Sequence, residues 1–314
     1  MESAHVFDRS WFVALTIIAV LTSACGRSAD EASGGADSAP GVAAAPGQVA
    51  AGPAATGVSV APDGVPIAWE SFGDGPLSIV LIHGWVCDRS YWDHQVEPLS
   101  ERYRVVTLDL AGHGESGTDR DAWTITSYGG DVAAVVEALD LARVVLVGHS
   151  MGGDVAVDAA RRLGDRVAGM VWIDTYSQLG AVRTPQQVQD IVGLFRPGFA
   201  DSAYAFVRQN LFLPTSDPAL AEWVSRDMAS APPDIALGSL ESSFSNDRVV
   251  PVVLAELDLP VVSINPAEPG LDVASLERHG VEVVVVSDAG HFVHMESPDA
   301  FNPILIDAIE RVES

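Results

Sequence analysis

The sequence predicts an α/β fold: a mostly parallel central sheet with helices on both faces, plus an inserted helical lid. Three observations predict it. Short apolar runs recur with helix-compatible stretches between them, the alternation that builds a parallel sheet covered on both sides. One of these runs, Arg143-Val144-Val145-Leu146-Val147, leads into Gly148-His149-Ser150-Met151-Gly152-Gly153 and then a helical pattern reaching Leu163. Between Tyr176 and Leu257 no buried-strand pattern occurs, and roughly eighty residues are too many for a structureless loop in a compact domain.

Taken in order, Trp11 to Thr22 is an apolar run of about a dozen residues, too short to span a bilayer comfortably. It is read as part of a signal peptide over residues 1–24. The run ends in Leu21-Thr22-Ser23-Ala24-Cys25, which resembles a bacterial lipobox; the resemblance implies cleavage before Cys25 and lipid attachment to its thiol. The expected location is the bacterial cell envelope, lipid-anchored, with a soluble secreted protein as the alternative. Residues 25–56 are rich in Ala, Gly, Ser and Pro and lack the large apolar side chains that offset ordering entropy, so they read as a disordered tether.

Residues 57–175 form the first part of the expected core. Val58 to Val60 and Val65 to Phe72, separated by Pro62-Asp63-Gly64, read as an opening hairpin. Buried strands follow at Leu77–Ile82, Arg104–Leu108, Val144–Val147 and Val167–Ile173, with a helix over Tyr128–Leu139. Residues 176–257 are the expected lid, with helices such as Pro185–Phe195, Ala200–Leu211 and Pro218–Met228. Residues 258–314 return to the core with buried strands at Val261–Ile264 and Val281–Val286. A last helix runs to about Val312, with Ser297 as N-cap and Pro298 at its first position.

Composition bounds the partners. The chain has 314 residues and a formal net charge of −26, and all 17 basic residues are Arg. An acidic surface of this size disfavours nucleic acid and anionic membrane surfaces as electrostatic partners. The expected membrane contact is the lipid anchor alone, and the expected partner is a small molecule. Of the two cysteines, lipidation of Cys25 leaves Cys87 without an intrachain partner. No C-x-x-C or H-x-x-x-H spacing occurs to suggest a metal, and no cofactor is expected.

The chemistry centres on Ser150. A strand–turn–helix context around G-x-S-x-G is what a nucleophile elbow needs: the turn is tight and strained, and Gly148 and Gly152 leave room for the facing backbones. A serine is inert without a base and oxyanion donors. The base is read as His291, which follows Gly290 in the loop after the strand Val281–Val286; His294 is read as a packing or capping residue. The oxyanion donors are the backbone N–H groups of Trp85, in Ile82-His83-Gly84-Trp85, and of Met151, with His83 bracing the loop. Lid residues Phe195, Phe199, Phe206, Phe212 and Trp223 suggest an apolar pocket or lid-to-core packing.

His83-Gly84-Trp85, the Asp109-Leu110-Ala111-Gly112-His113-Gly114-Glu115-Ser116 turn, Gly148-His149-Ser150-Met151-Gly152-Gly153 and the run from Gly290-His291 to Glu296-Ser297-Pro298 follow one another in an order that resembles the α/β-hydrolase superfamily. The resemblance covers nearly all of residues 57–312 and is nearest to lid-bearing esterases, lipases and cofactor-free haloperoxidases. It implies Ser150 as nucleophile and His291 as base, while Ser150 argues against dehalogenases and epoxide hydrolases, which need Asp there. The acid departs from the pattern. Where the family usually carries Gly-x-x-Asp, this chain has Pro266-Ala267-Glu268-Pro269. Asp174, ending the strand Val167–Ile173, is the expected acid; Glu268 is the alternative, and Asp272 lies further along. The expected activity is hydrolysis of a carboxylic ester, an apolar one, through an acyl-enzyme. Cofactor-free haloperoxidase or perhydrolase chemistry and a non-catalytic binding role are the alternatives.

Overall fold

The computed structural model describes residues 52–313. The expected signal peptide, Cys25 and most of the tether lie outside the described residues. β1 (Ala55–Val60) and β2 (Pro66–Phe72) form the opening hairpin. β3 (Ser78–Ile82), α1 (Asp93–Ser100), β4 (Arg104–Leu108), α2 (Ile125–Ala138), β5 (Val144–His149), α3 (Met151–Leu163) and β6 (Val167–Ile173) then alternate. α4 (Pro185–Gly193), α5 (Phe199–Asn210), α6 (Pro218–Ala229), α7 (Pro233–Phe244) and α8 (Val250–Leu257) follow as a helical insertion. The chain returns through β7 (Val261–Pro266), α9 (Val273–Glu277), β8 (Val281–Val286), α10 (Val293–Glu296) and α11 (Pro298–Val312). β1 starts two residues inside the segment read as tether, because Ala55 and Thr56 pair with Ser71 and Glu70.

The strands form one sheet in the order β1-β2-β4-β3-β5-β6-β7-β8, antiparallel only where β1 meets β2 and β2 meets β4. Alternate residues feed opposite faces, as the two-residue period of a strand requires. Val80, Ile82, Val144 and Leu146 pack on one side with Val132, Val136 and Val155, from α2 and α3. Ile79, Leu81, Val145 and Val147 pack on the other with Val96, Phe301 and Leu305, from α1 and α11. β3 and β5 are buried on both faces, which is why they read as unbroken apolar runs. Removing a buried side chain of this kind, as in Leu81→Ala, costs about 2–5 kcal/mol.

Two expectations need correction. Val281–Val286 is a strand with the expected bounds, but it is not buried throughout: β8 is the outer strand, and Val285 is 48% exposed. Ser297 does precede α11, with Pro298 in its first turn, but the Ser297 hydroxyl does not cap the helix. Its backbone ψ of 61° departs from the extended conformation that an N-cap side chain uses; its carbonyl accepts from Ala300 and Phe301 instead.

The strand order positions the site. The chain adds β4 on one side of β3, then crosses back to lay β5 on the other. In such a sheet ligands bind beyond the strand C-termini at this reversal. Ile82 is in register with Gly148, and His149 with Ile173, so the loops after β3, β5 and β6 emerge side by side.

Candidate active site

Ser150 stands between β5 and α3 with φ 52° and ψ −124°, a conformation that a residue with a side chain adopts only under constraint. The constraint is visible. Its N–H donates to the Ile173 carbonyl at 2.9 Å, and its carbonyl accepts from the Gly153 N–H at 3.0 Å. A Cβ on Gly148 would collide with the Gly152 carbonyl, and one on Gly152 with the Ile82 carbonyl, so the elbow closes only with glycine at both positions. α3 begins at Met151, whose N–H has no intrahelical acceptor and lies at the positive end of the helix dipole.

Asp174 follows β6, also with positive φ (44°), its N–H donating to the Ile264 carbonyl at 2.9 Å. Its Oδ2 lies 2.6 Å from His291 Nδ1, across 117 positions of sequence, and the two side chains are 9% and 18% exposed. A proton on Nδ1 donated to this carboxylate leaves Nε2 with its lone pair, the tautomer that a general base needs. The His291 main chain is fixed on both sides: its N–H donates to the Leu211 carbonyl at 3.0 Å, and its carbonyl accepts from His149 Nε2 at 3.0 Å. Gly290 donates its N–H to Glu296 Oε1 at 3.0 Å, and the same carboxylate accepts the Ser216 hydroxyl from the helical insertion.

Of the three carboxylates considered from the sequence, Asp174 is the one that meets the imidazole. Glu268 is exposed on the loop after β7, yet its carboxyl is pushed up to about 7. Loss of hydration is the main cause, the Asp174 charge adds to it, and His291 opposes it. Asp272 caps α9, accepting the Ser275 N–H at 3.0 Å.

The loop after β3 lies against the elbow, since a Cβ on Gly84 would meet Ser150 Cβ and the His149 carbonyl at 3.3 Å. His83 braces this loop: its Nδ1–H donates to the Gly84 carbonyl at 2.8 Å, and its Nε2 accepts from the Leu110 N–H at 3.0 Å. Val86, β-branched, is held at φ 48°. Cys87 is a free, buried thiol that donates to the Trp85 carbonyl at 3.3 Å. The Trp85 indole donates to the Ala236 carbonyl of α7 at 2.8 Å and packs edge-on against Phe195 and Phe199. Phe195 and Phe199 are buried in this packing and Phe212 is buried stacked on Phe292, while Phe206 and Trp223 are half-buried. Tyr91 donates its hydroxyl to Asp227 of α6 at 2.7 Å, a second tie to the insertion. Burial pushes the Asp227 carboxyl up to about 6 against the pull of that bond.

Two residues were not legible as parts of this arrangement. His149 links the elbow to the base loop, and Glu296 links the base loop to the insertion. Both stand inside the sequence motifs, but neither motif names the partner atom. His294 packs as expected, fully buried between Trp92, His149 and Phe301, with neither ring nitrogen hydrogen-bonded. Burial drives its pKa down to about 3, and the nearby His291 adds to this. Among the described residues no group of three or more His, Cys, Asp or Glu side chains could hold a metal ion, and no helix is long and apolar enough to cross a membrane.

Residues 79–304 match the family model described as the alpha/beta hydrolase family. The Karrikin insensitive 2 receptor CA of Petunia hybrida is 28% identical over 263 residues, covering 74% of this chain and 92% of the relative. A thermophilic esterase from Thermogutta terrifontis superposes with a TM-score of 0.70 at 24% identity, over 83% of this chain and all of that one. A bromoperoxidase from Bacillus anthracis gives a TM-score of 0.71 at 20% identity, over 82% and 100%. These two structural likenesses are likenesses of fold.

Proposed function

The chain belongs to the alpha/beta hydrolase family, and from that premise we propose that it is a serine hydrolase cleaving a carboxylic ester. The observation that carries the reading is the 2.6 Å contact of His291 with Asp174, on a loop pinned beside a strained Ser150. In this reading His291 Nε2 takes the proton from Ser150 Oγ as the oxygen attacks the ester carbonyl. The oxyanion is met by the N–H groups of Trp85 and Met151. The protonated His291 gives its proton to the leaving alcohol, and the same base then activates a water that releases the acid from the acyl-Ser150 intermediate. An ester suits this better than an amide because an alkoxide leaves more readily than an amine.

The ties from Ala236 and Leu211 to Trp85 and His291 support a lid role for the insertion, and the proposal takes the ester as an apolar one. The proposal includes attachment to a bacterial envelope membrane through a lipid on Cys25, supported by the Leu21–Cys25 motif and the tether-like composition that follows.

A second reading, a ligand-binding role on the same scaffold, is favoured by the Petunia relative, whose name makes it a receptor. Turnover separates the two. Incubation with a fluorophosphonate probe and a series of p-nitrophenyl esters of increasing acyl length is expected to give stoichiometric labelling and sustained release of nitrophenol. A release that stops near one equivalent would favour the binding role, and absence of labelling would refute the nucleophile.

A further inference from the structure

His149 lies where three parts of the site meet. Its Nε2 is 3.0 Å from the His291 carbonyl, and its ring centre is 4.7 Å from that of His291 and 5.2 Å from that of Phe292. On the other side, its Nδ1 would lie 3.1 Å from a Cβ on Gly84, so the loop after β3 packs closely against the ring. The residue is 1% exposed and joined by the peptide bond to Ser150.

Burial holds this imidazole well below its usual pKa, and the neighbouring His294, His291 and His83 rings reinforce that. A neutral ring carries one N–H, and the only arrangement that satisfies the His291 carbonyl puts it on Nε2. Neutrality has a second effect. His291 must become cationic during turnover, and a charged His149 at this distance would oppose it.

We propose that His149 is a positioning residue: its Nε2–H fixes the His291 main chain relative to Ser150, while its ring sets the spacing between the base loop and the loop carrying Trp85. This rests on the hydrolase reading given above. The contact is built from the residue before the nucleophile and the main chain of the base, so its loss moves the base without removing any reacting group.

Two variants and one spectroscopic measurement test it. In His149→Leu the carbonyl loses its donor while an apolar side chain fills the space; kcat is expected to fall about 30-fold with KM changed less than about threefold, because the interaction matters to alignment and not to substrate binding. In His149→Gln the amide N–H reaches to the same distance as Nε2, and kcat is expected to return to within about fivefold of wild type. Equal losses in both variants, or a loss confined to KM, would overturn the proposal in favour of packing alone. The ring ¹⁵N spectrum of the wild-type protein needs neither variant to fold nor any activity. The ring resonances assigned to His149 should stay those of a neutral imidazole with its proton on Nε2 from pH 5 to 9, and a proton on Nδ1, or titration of this ring in that range, would overturn the proposal. A wild-type protein that turns over no ester but shows the Nε2–H tautomer would sink the hydrolase reading and leave the hydrogen bond standing.

Discussion

Replacing Asp174 by asparagine keeps the size of the side chain and removes its charge. The cost follows from the geometry. With Nδ1 and Oδ2 in hydrogen-bond contact at 2.6 Å, the centres of charge of the imidazolium and carboxylate are about 4 Å apart, and at an effective dielectric of about 20 their attraction is about 4 kcal/mol. Asp174 is only 9% exposed, so water screens little of this, and the rate loss should be about 10³-fold. If the amide N–H turns toward Nδ1 and selects the other tautomer, the loss rises toward about 10⁴-fold. Glu268→Gln is expected to cost under about tenfold, since Glu268 acts on the base only through space. That small effect should depend on pH. Below about 7 the Glu268 carboxyl is protonated and resembles glutamine; above it the ionised group stabilises the His291 cation, so the ratio of wild-type to Glu268→Gln kcat rises as pH passes about 7. Steady-state p-nitrophenyl butyrate hydrolysis by both variants, with circular dichroism as a folding control, reads these effects. A larger loss at Glu268 than at Asp174, or two equally mild losses, would refute the assignment of the acid.

Ser150→Ala should lower esterase turnover by about 10⁴-fold or more and abolish fluorophosphonate labelling; retention of over about a tenth of wild-type turnover would refute the nucleophile. Cys25→Ser should move the full chain from membrane to soluble fractions, because each buried lipid CH₂ contributes about 0.8 kcal/mol; wild-type protein found wholly soluble with a free Cys25 thiol would end the anchor proposal. Asp227 binds its proton more tightly in the folded chain (up to about 6) than the ordinary carboxyl value of 3.8, so ionising it weakens the fold progressively as pH rises between those values. Asp227→Asn should therefore gain melting temperature relative to wild type from pH 4 to pH 8, whereas a difference that stays flat would contradict the raised carboxyl.

Strand positions were legible because each buried strand is an apolar run between turn residues; the bounds of β4, β6 and β8 coincide with their runs. Their depth was not. Val281–Val286 reads like Val144–Val147, and only the order of strands makes one an edge and the other a centre. Ser150 and His291 were legible as candidates from local context, a tight glycine-flanked turn and a glycine before a histidine. Which carboxylate meets His291 was ambiguous because Pro266 and Pro269 replace the usual pattern, and what brings Asp174 there is pairing between strands. With His149 opposite Ile173, the next residue on each chain is Ser150 and Asp174. Pairing register, like the 142-residue span between His149 and His291, is a property of the folded sheet that no local window of sequence contains.

In the proposed mechanism, the Leu211 carbonyl gives the helical insertion a part in holding His291 that its position in the chain alone does not. A single acceptor at the end of α5 receives the N–H of His291, and there is no room for a side chain at Gly290, where the two segments touch. The insertion is therefore not a detachable module. Grafting a different set of helices onto this sheet to change substrate preference would also remove one of the two main-chain restraints on His291. Chimeras that swap the segment should lose rate on every ester alike unless the donor segment supplies a carbonyl at the same point. Divergence of this chain's specificity would then run more easily through side chains on α4 to α7 than through exchange of the whole segment.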